Sequence, residues 1–174
     1  FNIFGFEVRR LYYPELVQLS FNEIYKKIIR NKPIIFDVGA NQGQSIERFN
    51  KIFKEKIIHA FEPITSEFEI LKNKFSKDKN IFLNNFAIGE KEDIRKFYIT
   101  AKTSTSSFYK VTENTSWLKL RSKQWNTTLE GFTKNIVEVK IDSLDNYCEK
   151  NNIEKIDVLK IDTQGYEDKV LAGC

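Results

Sequence analysis

Short apolar runs alternate with amphipathic stretches along the first half of the chain. Residues 34–38 are almost continuously apolar, which predicts a strand buried on both faces of a sheet. Residues 44–53 place Ile46, Phe49 and Ile52 at helical spacing, which predicts a helix with one buried face. The alternation repeats with a strand at 56–63, a helix that carries Phe68, Leu71 and Phe75, and a strand at 80–88. Strands and helices that alternate at this spacing predict a parallel sheet with right-handed crossovers.

Local signals mark where these elements end. Residues 15–30 have a helical period, and this helix must stop before Pro33 because the residue ahead of a proline avoids helical backbone angles. Pro63 ends the second strand, since proline has no N–H to donate to a sheet. Ser66 and Glu69 have the spacing of a capping box, which predicts that the next helix begins there.

The pattern changes after Gly89. Residues 94–100 predict a further strand, joined to the third one by a short turn. Residues 101–131 are rich in Ser and Thr and show no clear period, so we expect a loop or lid insertion over the sheet. Its tryptophans, Trp117 and Trp125, are expected to pack within the segment rather than to stack on a substrate. The remaining pattern predicts a strand at 137–141, a short helix at 143–151, a strand at 156–162 and a helix after Gly165.

The composition is that of one globular domain. The chain has 174 residues, of which 41% are hydrophobic and 30% charged, which is too apolar for a disordered protein. The net charge of +4 comes from scattered lysines rather than from a basic block, so we expect no nucleic-acid partner. No stretch approaches the roughly 18 apolar residues of a membrane helix, so we expect no membrane partner.

The cysteines and the start of the chain suggest a cellular location. Cys148 and Cys174 make neither a disulfide framework nor a metal site, which predicts a reduced, cytoplasmic protein. The first residues lack the pattern of a secretory signal peptide. Because the sequence contains no Met, Phe1 is not expected to be a natural initiator, and we expect a fragment of a longer chain.

A glycine turn follows the first predicted strand. Asp37 stands at the end of that strand, Gly39 and Gly43 form the turn, and Glu62 stands at the end of the second strand. In an open parallel sheet, ligands bind outside the carboxyl ends of the strands. Glycines let the backbone approach a ligand closely, and an acid at the second strand end can accept hydrogen bonds from a ribose diol. The turn therefore predicts a ligand that contains a nucleoside.

The acid at the start of the turn bears on which nucleoside is bound. A dinucleotide fingerprint has a third glycine, which is missing here, and Asp37 would repel a pyrophosphate. S-adenosylmethionine carries no phosphate, and its amino group and sulfonium could lie near Asp37 and Asp162. The residues thus favour S-adenosylmethionine and leave an NAD-type oxidoreductase open as an alternative.

Five segments in order resemble the FkbM family of methyltransferases over residues 34–173. They are FDVGANQG, AFEP, NNFAIGE, SLDNY and DVLKIDTQGYEDKVLAG. The resemblance implies an α/β fold, a Rossmann-like class I methyltransferase core with a mostly parallel sheet and helices on both faces. It also implies transfer of a methyl group from S-adenosylmethionine to a hydroxyl of a sugar, glycan or small natural product.

The resemblance also implies roles for single residues. Asp162 matches the acid that faces the transferable methyl group, and Glu167 belongs to the same motif, so these are the candidate catalytic residues. The only histidine, His59, lies in the second strand and is expected to be structural, and no metal site is expected. The positions implied to bind the cofactor are Asp37, Gly39, Asn41, Gly43, Glu62, Asn85, Ala87, Ser106 and Ser107.

Each candidate also has a purely structural explanation. Asp162 could cap the following helix, and the two roles can coexist. The glycines could serve only the tight turn, and Glu62 could be a solvated acid before a proline. Asn85 could satisfy a carbonyl at a strand end, and the paired serines could lie on a plain surface loop.

The chain departs from the family pattern at its end. A complete fold of this class has seven strands, whereas this sequence stops at Cys174, so we expect a core that lacks the C-terminal strands. The expected organisation is an N-terminal helical segment at 1–33 and a partial methyltransferase domain at 34–174. A non-catalytic, methyltransferase-like binding module remains an alternative. The sequence does not specify the acceptor or the oligomeric state.

Overall fold

The computed structural model describes residues 2–3, 6–7, 21–29, 32–113 and 115–174. The chain divides into two compact units, Phe1–Arg30 and Asn31–Cys174. The first unit contains an antiparallel pair of short strands, β1 (Asn2–Ile3) and β2 (Phe6–Glu7), and the helix α1 (Phe21–Ile28). The helix predicted from residue 15 is thus observed from Phe21, and residues 15–20 lie outside the described residues.

The second unit alternates strands and helices as the sequence predicts. In chain order its elements are β3 (Ile34–Val38), α2 (Gln44–Ile52), β4 (Ile57–Phe61), α3 (Thr65–Phe75), β5 (Ile81–Asn84), β6 (Ala87–Ile88), β7 (Asp93–Thr100), α4 (Ser116–Gln124), β8 (Thr133–Asp142), α5 (Leu144–Lys150), β9 (Val158–Ile161) and α6 (Glu167–Ala172).

Four of these strands form a parallel sheet in the order β5-β4-β3-β9. The apolar runs that predicted β3 and β4 occupy its centre, where Phe36 and Phe61 are fully buried. Helices flank the sheet, so the prediction of an α/β fold with a mostly parallel sheet is confirmed. Since all four strands run in one direction, their carboxyl ends lie along a single edge.

A second sheet changes the prediction for residues 80–88. Its order is β6-β8-β7, with β6 parallel and β7 antiparallel to β8. The single strand predicted over 80–88 is therefore wrong, because β5 and β6 belong to different sheets. The chain turns between them at Asn85, whose amide donates to the carbonyls of Glu62 at 2.9 Å and Pro63 at 3.3 Å. These bonds hold the turn against the end of β4.

The start of α3 also differs from the prediction. The helix begins at Thr65, and its N-cap residue Ile64 makes no side-chain capping bond. The capping box predicted from Ser66 and Glu69 is therefore wrong. Instead, the buried carboxylate of Glu62 accepts a hydrogen bond of 2.8 Å from the backbone N–H of Ile64. The acid two residues ahead of the cap thus satisfies the N–H of the cap residue, which in a capping box is the task of an acid three residues after the cap.

Residues 101–131 are more regular than the sequence predicts. They contain a 3₁₀ turn at Thr103–Thr105 and the helix α4, whose N-cap Thr115 accepts from the N–H of Leu118 at 3.1 Å. The sequence of α4 shows no clear helical period of apolar residues, because this helix buries only Leu118 and Ser122. Trp117 and Trp125 pack on each other and on Phe132, as expected, with ring centroids 5.4–6.4 Å apart.

His59 is part of the core, as the sequence predicts. Its ring stacks on Phe82 with centroids 4.8 Å apart, and its Nδ1 lies 2.9 Å from the hydroxyl of Tyr147. Burial lowers the pKa of His59 to about 4, so the ring is neutral at neutral pH. In the described part of the chain, no helix is long and apolar enough to cross a bilayer.

Candidate functional site

A cleft opens at the carboxyl ends of β3, β4 and β9. The cleft together with the open space at its mouth measures about 590 Å³. The predicted site residues that line it are Gly39, Asn41, Glu62, Ala87, Ser106 and Asp162. The predicted residues that lie around it without lining it are Asp37, Gly43, Asn85, Ser107 and Glu167. Most of the apolar wall comes from Phe61, Ile64, Ile88, Phe97 and Phe108.

The glycine turn is tightly fixed at its first glycine. Gly39 has a φ of 78°, and a β-carbon there would lie 2.1 Å from the carbonyl oxygen of Asp162. The N–H groups of Gly39 and Ala40 both donate to the carbonyl of Phe61 at 3.0 Å. Only glycine fits this position, because any side chain would collide with the backbone that follows β9.

The second glycine serves packing instead. Gly43 has a φ of 88° at the N-cap of α2. A β-carbon there would lie 2.3 Å from Phe75 and 3.0 Å from Leu71, both on α3. The missing side chain therefore lets the start of α2 lie directly against α3, and Gly43 faces α3 rather than the cleft.

Glu62 is the buried acid of the cleft. It is 4% exposed, and its two carboxylate oxygens accept the N–H of Asn41 and the N–H of Ile64, each at 2.8 Å. Burial raises the pKa of Glu62 to about 7, although these two backbone donors act in the opposite direction. The carboxylate thus ties the glycine turn to the start of α3, and each oxygen keeps a further lone pair for a ligand.

Asp37 lies beneath the turn and is fully buried. Its Oδ1 is 2.9 Å from the ammonium of Lys160, its register partner on β9. The Lys160 ammonium also donates to the carbonyl of Gly39 at 2.8 Å. Oδ2 of Asp37 has no hydrogen-bond partner among the described residues. Burial raises the pKa of Asp37, and Lys160 offsets part of that rise.

This pair changes the electrostatic argument made from the sequence. We expected the carboxylate of Asp37 to face a cationic ligand directly. In the structure, a protein cation already pairs with it and the cleft does not reach it. Asp37 acts on the turn through Lys160, and the exposed acid of the cleft is Asp162.

Asp162 follows β9 at the rim of the cleft. Its N–H donates to the carbonyl of Val38 at 3.0 Å, which continues the pairing of β9 with β3. Its Oδ1 accepts from the amide of Gln164 at 2.6 Å. The helix that follows has Tyr166 as its N-cap, so Asp162 does not cap it. The side chain is free to meet a ligand from the cleft side.

Glu167 holds the backbone next to Asp162. Its carboxylate accepts from the N–H groups of Thr163 and Gly165, both at 2.9 Å. Burial raises the pKa of Glu167, but the backbone donors outweigh burial and hold the pKa below its ordinary value. An ionised carboxylate committed to backbone donors is a poor proton acceptor. Its geometry supports a positioning role rather than the catalytic one expected from the sequence.

The paired serines take different positions. Ser106 lines the cleft, and its Oγ accepts from the N–H of Thr100 at 3.1 Å. Ser107 points the other way: its hydroxyl donates to the carbonyl of Gln164 at 2.9 Å and accepts from the N–H of Tyr109 at 3.2 Å. Ser107 thus joins the 101–131 segment to the turn that carries Asp162.

Several polar residues of the site were not predicted from the sequence, among them Lys160, Gln164 and Thr103. Lys160 stands within an apolar strand, and only the register between β3 and β9 reveals its partner. Gln164 stands two residues after Asp162 in the sequence, and this short separation is the signal that could have identified it as a site residue. Thr103 lies 3.5 Å from the amide of Asn41 and came from a segment without a clear period. In the part of the chain that the structure describes, no cluster of three metal-ligating side chains occurs.

Known proteins share this sequence and fold. The chain is 23% identical over 153 residues to the 2-O-methyltransferase NoeI of Sinorhizobium fredii (strain NBRC 101917 / NGR234), a match that covers 87% of this chain and 61% of NoeI. The crystal structure of methyltransferase FkbM from Methylobacillus flagellatus KT matches with a TM-score of 0.50 and 14% identity, over 84% of this chain and 30% of that one.

The structural match shows the fold, and the chain spans under two thirds of the length of either relative. Residues 37–174 match the family described as the methyltransferase FkbM domain, and this region contains the whole cleft from the glycine turn to Gln164. The chain therefore belongs to the methyltransferase FkbM domain family.

Proposed function

We propose that this chain forms the cofactor site of an S-adenosylmethionine-dependent O-methyltransferase. The observation that carries the proposal is the carboxylate of Glu62, held by two backbone donors in the cleft opposite Gly39. A fixed carboxylate at this strand end can accept hydrogen bonds from both hydroxyl groups of an unmodified ribose. The free thiols of Cys148 and Cys174 support the cytoplasmic location proposed from the sequence.

The residues of the cleft fit this cofactor. The apolar side chains of Ile64, Ile88 and Phe97 offer an adenine ring a dry surface beside Glu62. Gly39 leaves the backbone open to close approach. No basic side chain lines the cleft within the described residues, which disfavours a pyrophosphate and hence a dinucleotide. Asp162 provides negative charge at the rim, where a sulfonium is stabilised.

Asp162 is the residue proposed to handle the acceptor proton. When bound, S-adenosylmethionine supplies an electrophilic methyl group on a sulfonium. Asp162 Oδ1 is occupied by Gln164, which leaves Oδ2 to receive a hydrogen bond from an acceptor hydroxyl and to take its proton. We propose a small-molecule or glycan hydroxyl as the acceptor, and the name of NoeI, a 2-O-methyltransferase, supports an oxygen acceptor.

Titration calorimetry with S-adenosylmethionine tests the cofactor. We expect binding by the wild type and at least a tenfold weaker affinity for Glu62→Gln, because an amide repels one of the two backbone donors and holds a ribose diol poorly. Affinity of the wild type should also fall as the pH is lowered through about 7, where Glu62 gains its proton.

A matched control separates this effect from a general change of charge. Glu69 lies on the exposed side of α3, so Glu69→Gln should bind S-adenosylmethionine like the wild type. If calorimetry shows a heat of binding for NAD⁺ and none for S-adenosylmethionine, the proposal is contradicted and the alternative of an NAD-type oxidoreductase is favoured. Binding of S-adenosylmethionine without methyl transfer to any hydroxyl would favour the non-catalytic module.

A further inference from the structure

The outward face of α4 carries two large apolar side chains. Leu118 and Ser122 are the buried residues of this helix, and at 3.6 residues per turn Leu120 points directly away from them. Leu120 is 64% exposed, and Trp117, three residues before it, is 45% exposed. The position that faces farthest from the protein interior is therefore apolar, although a polar side chain is expected there on a surface helix.

Trp117 is held in place although nearly half of it is exposed. Its ring packs edge-on against Trp125 and Phe132, with ring centroids 6.4 and 5.7 Å apart. These two rings support one side of the indole, and the other side can contact a partner. A side chain that is already ordered loses little conformational entropy when it binds.

Positive charge surrounds these two apolar residues. Residues 101–131 contain five basic and two acidic side chains, a net charge of +3 out of the +4 of the whole chain. The lysines are scattered along the sequence, but the imbalance between basic and acidic residues is concentrated in this segment. Three of the basic residues stand on α4, which has no acid: Lys119, Arg121 and Lys123.

This combination favours an anionic bilayer surface as the partner. Basic side chains are attracted to acidic lipids, while Trp and Leu enter the boundary between head groups and acyl chains. An acidic protein would need a complementary pocket for Leu120, and a nucleic acid would gain little from an aliphatic side chain that cannot stack. We expected no membrane partner because no apolar stretch is long enough to span a bilayer, but a helix that lies on a bilayer needs no such length.

The outward face of α4 is connected to the cleft through Trp125. The ammonium of Lys102 lies 5.7 Å from the centroid of the Trp125 ring, and the guanidinium of Arg121 lies 5.8 Å from it. Lys102 directly precedes Thr103 and Ser104, which line the cleft. A bilayer that contacts α4 would therefore lie beside the segment that forms one wall of the cleft.

We propose that the outward face of α4 docks the protein on an anionic membrane surface. The indole of Trp117 and the side chain of Leu120 enter the boundary between lipid head groups and acyl chains. The ammonium groups of Lys119 and Lys123 lie at the phosphates and carboxylates of the head groups. This contact goes beyond the proposed methyl transfer and does not depend on it.

Sedimentation with lipid vesicles tests the docking. The vesicles contain phosphatidylcholine alone or with about 30% phosphatidylserine. We expect the wild type to bind the anionic vesicles at least tenfold more tightly than the neutral ones. This difference should disappear when NaCl is raised to about 1 M, where charges are screened beyond about 3 Å.

Leu120→Gln tests the apolar part of the contact. The variant should bind anionic vesicles at least fivefold more weakly, because its side chain no longer enters the acyl boundary. Leu171→Gln is the matched control, since it makes the same change on α6 at a similar exposure of 57% and should bind like the wild type. Both side chains are exposed, so both variants should melt close to the wild type.

A double lysine variant tests the charged part. Lys119→Gln/Lys123→Gln should weaken binding to anionic vesicles at least tenfold. Lys51→Gln/Lys54→Gln removes the same charge at exposed positions by the end of α2 and should change binding much less. Tryptophan fluorescence reports the insertion itself: emission of the wild type should shift to shorter wavelength on anionic vesicles, and Trp117→Phe should lose this shift.

Three outcomes would overturn the proposal: equal binding to neutral and anionic vesicles, no weakening in Leu120→Gln, or equal weakening in Leu120→Gln and Leu171→Gln. A polyglutamate peptide and a single-stranded oligonucleotide serve as soluble anions. If either binds as tightly as the anionic vesicles, this face recognises charge alone and membrane docking is wrong. Calorimetry with S-adenosylmethionine on the same variants should show unchanged affinity, which keeps this proposal separate from the cofactor site.

Discussion

The contact between Asp37 and Lys160 shows how much a single side chain can depend on a distant one. Asp37 was visible in the sequence as an acid before a glycine turn, and its charge was assigned to the ligand. Lys160 lies on another strand, and only the observed register brings its ammonium within 2.9 Å of the carboxylate. Local sequence therefore predicted the residue but not the partner that determines its role.

Replacing Lys160 tests this dependence. In Lys160→Met, Asp37 would be left buried and without a cation, which should lower the free energy of unfolding by about 3 kcal/mol. The double variant Asp37→Asn/Lys160→Met should lose less than the single one, because the unpaired charge is gone. Urea unfolding measures the free energy of unfolding of both variants. Calorimetry should show weaker cofactor binding for Lys160→Met, because the Gly39 carbonyl loses its hydrogen-bond donor.

A surface lysine provides the control. Lys155 pairs with Asp157 at 2.9 Å, but its side chain is 73% exposed. Lys155→Met should change stability little, because exposed ion pairs contribute little. If Lys155→Met and Lys160→Met destabilise the protein equally, or if the double variant is no more stable than Lys160→Met, the pairing account is wrong.

At the scale of elements, the strands that the sequence predicted best are those buried on both faces. Continuous apolar runs identified β3 and β4 because a central parallel strand leaves no polar face. The predicted elements differ from the observed ones where a tertiary contact decides the outcome. Asn85 bends the chain between β5 and β6, and Glu62 takes the place of the predicted capping box. Neither contact leaves a local pattern.

The contact between α2 and α3 depends on Gly43. In Gly43→Ala, the methyl group would press on Phe75 and the backbone would keep a φ of 88°, so stability should fall by about 2 kcal/mol or more. Cofactor affinity of the folded fraction should fall much less, because Gly43 faces α3 rather than the cleft. Urea unfolding measures the loss of stability, and calorimetry on the same samples measures the cofactor affinity.

Gly131→Ala is the matched control for this variant. Its β-carbon would meet the end of the Thr128 side chain at 2.9 Å, and Gly131 has no positive φ. We expect a loss well below that of Gly43→Ala, since a surface hydroxyl can move aside. A large loss of cofactor affinity in folded Gly43→Ala would contradict the packing role and show that Gly43 contributes to the ligand site.

At the scale of the whole molecule, the buried ring of His59 contributes to the dependence of stability on pH. The pKa of His59 falls from 6.5 in the unfolded chain to about 4 in the fold, so the unfolded state binds the proton first. The free energy of unfolding should therefore decrease as the pH falls from 6.5 to 4, by at most about 3 kcal/mol from this group. The reason is that the buried ring cannot be charged without cost.

Urea unfolding at several pH values checks this contribution against His59→Phe. The sequence has only one histidine, so the difference in slope between the two proteins belongs to His59. Glu62 acts in the opposite sense, because its raised pKa makes its contribution to stability fall as the pH rises from 4.5 to about 7. Identical slopes for wild type and His59→Phe would show that the ring is not held neutral.

The hydrogen bond from Lys160 to Gly39 can form only late in the synthesis of this segment. The two residues are 121 positions apart, although they meet beneath the same turn. At typical synthesis rates this separation corresponds to roughly ten seconds on the ribosome. Throughout that interval one edge of β3 is unpaired and Asp37 lacks its cation. The nascent chain therefore leaves one edge of this apolar strand uncovered until β9 emerges, and chaperone capture should be most frequent before that point.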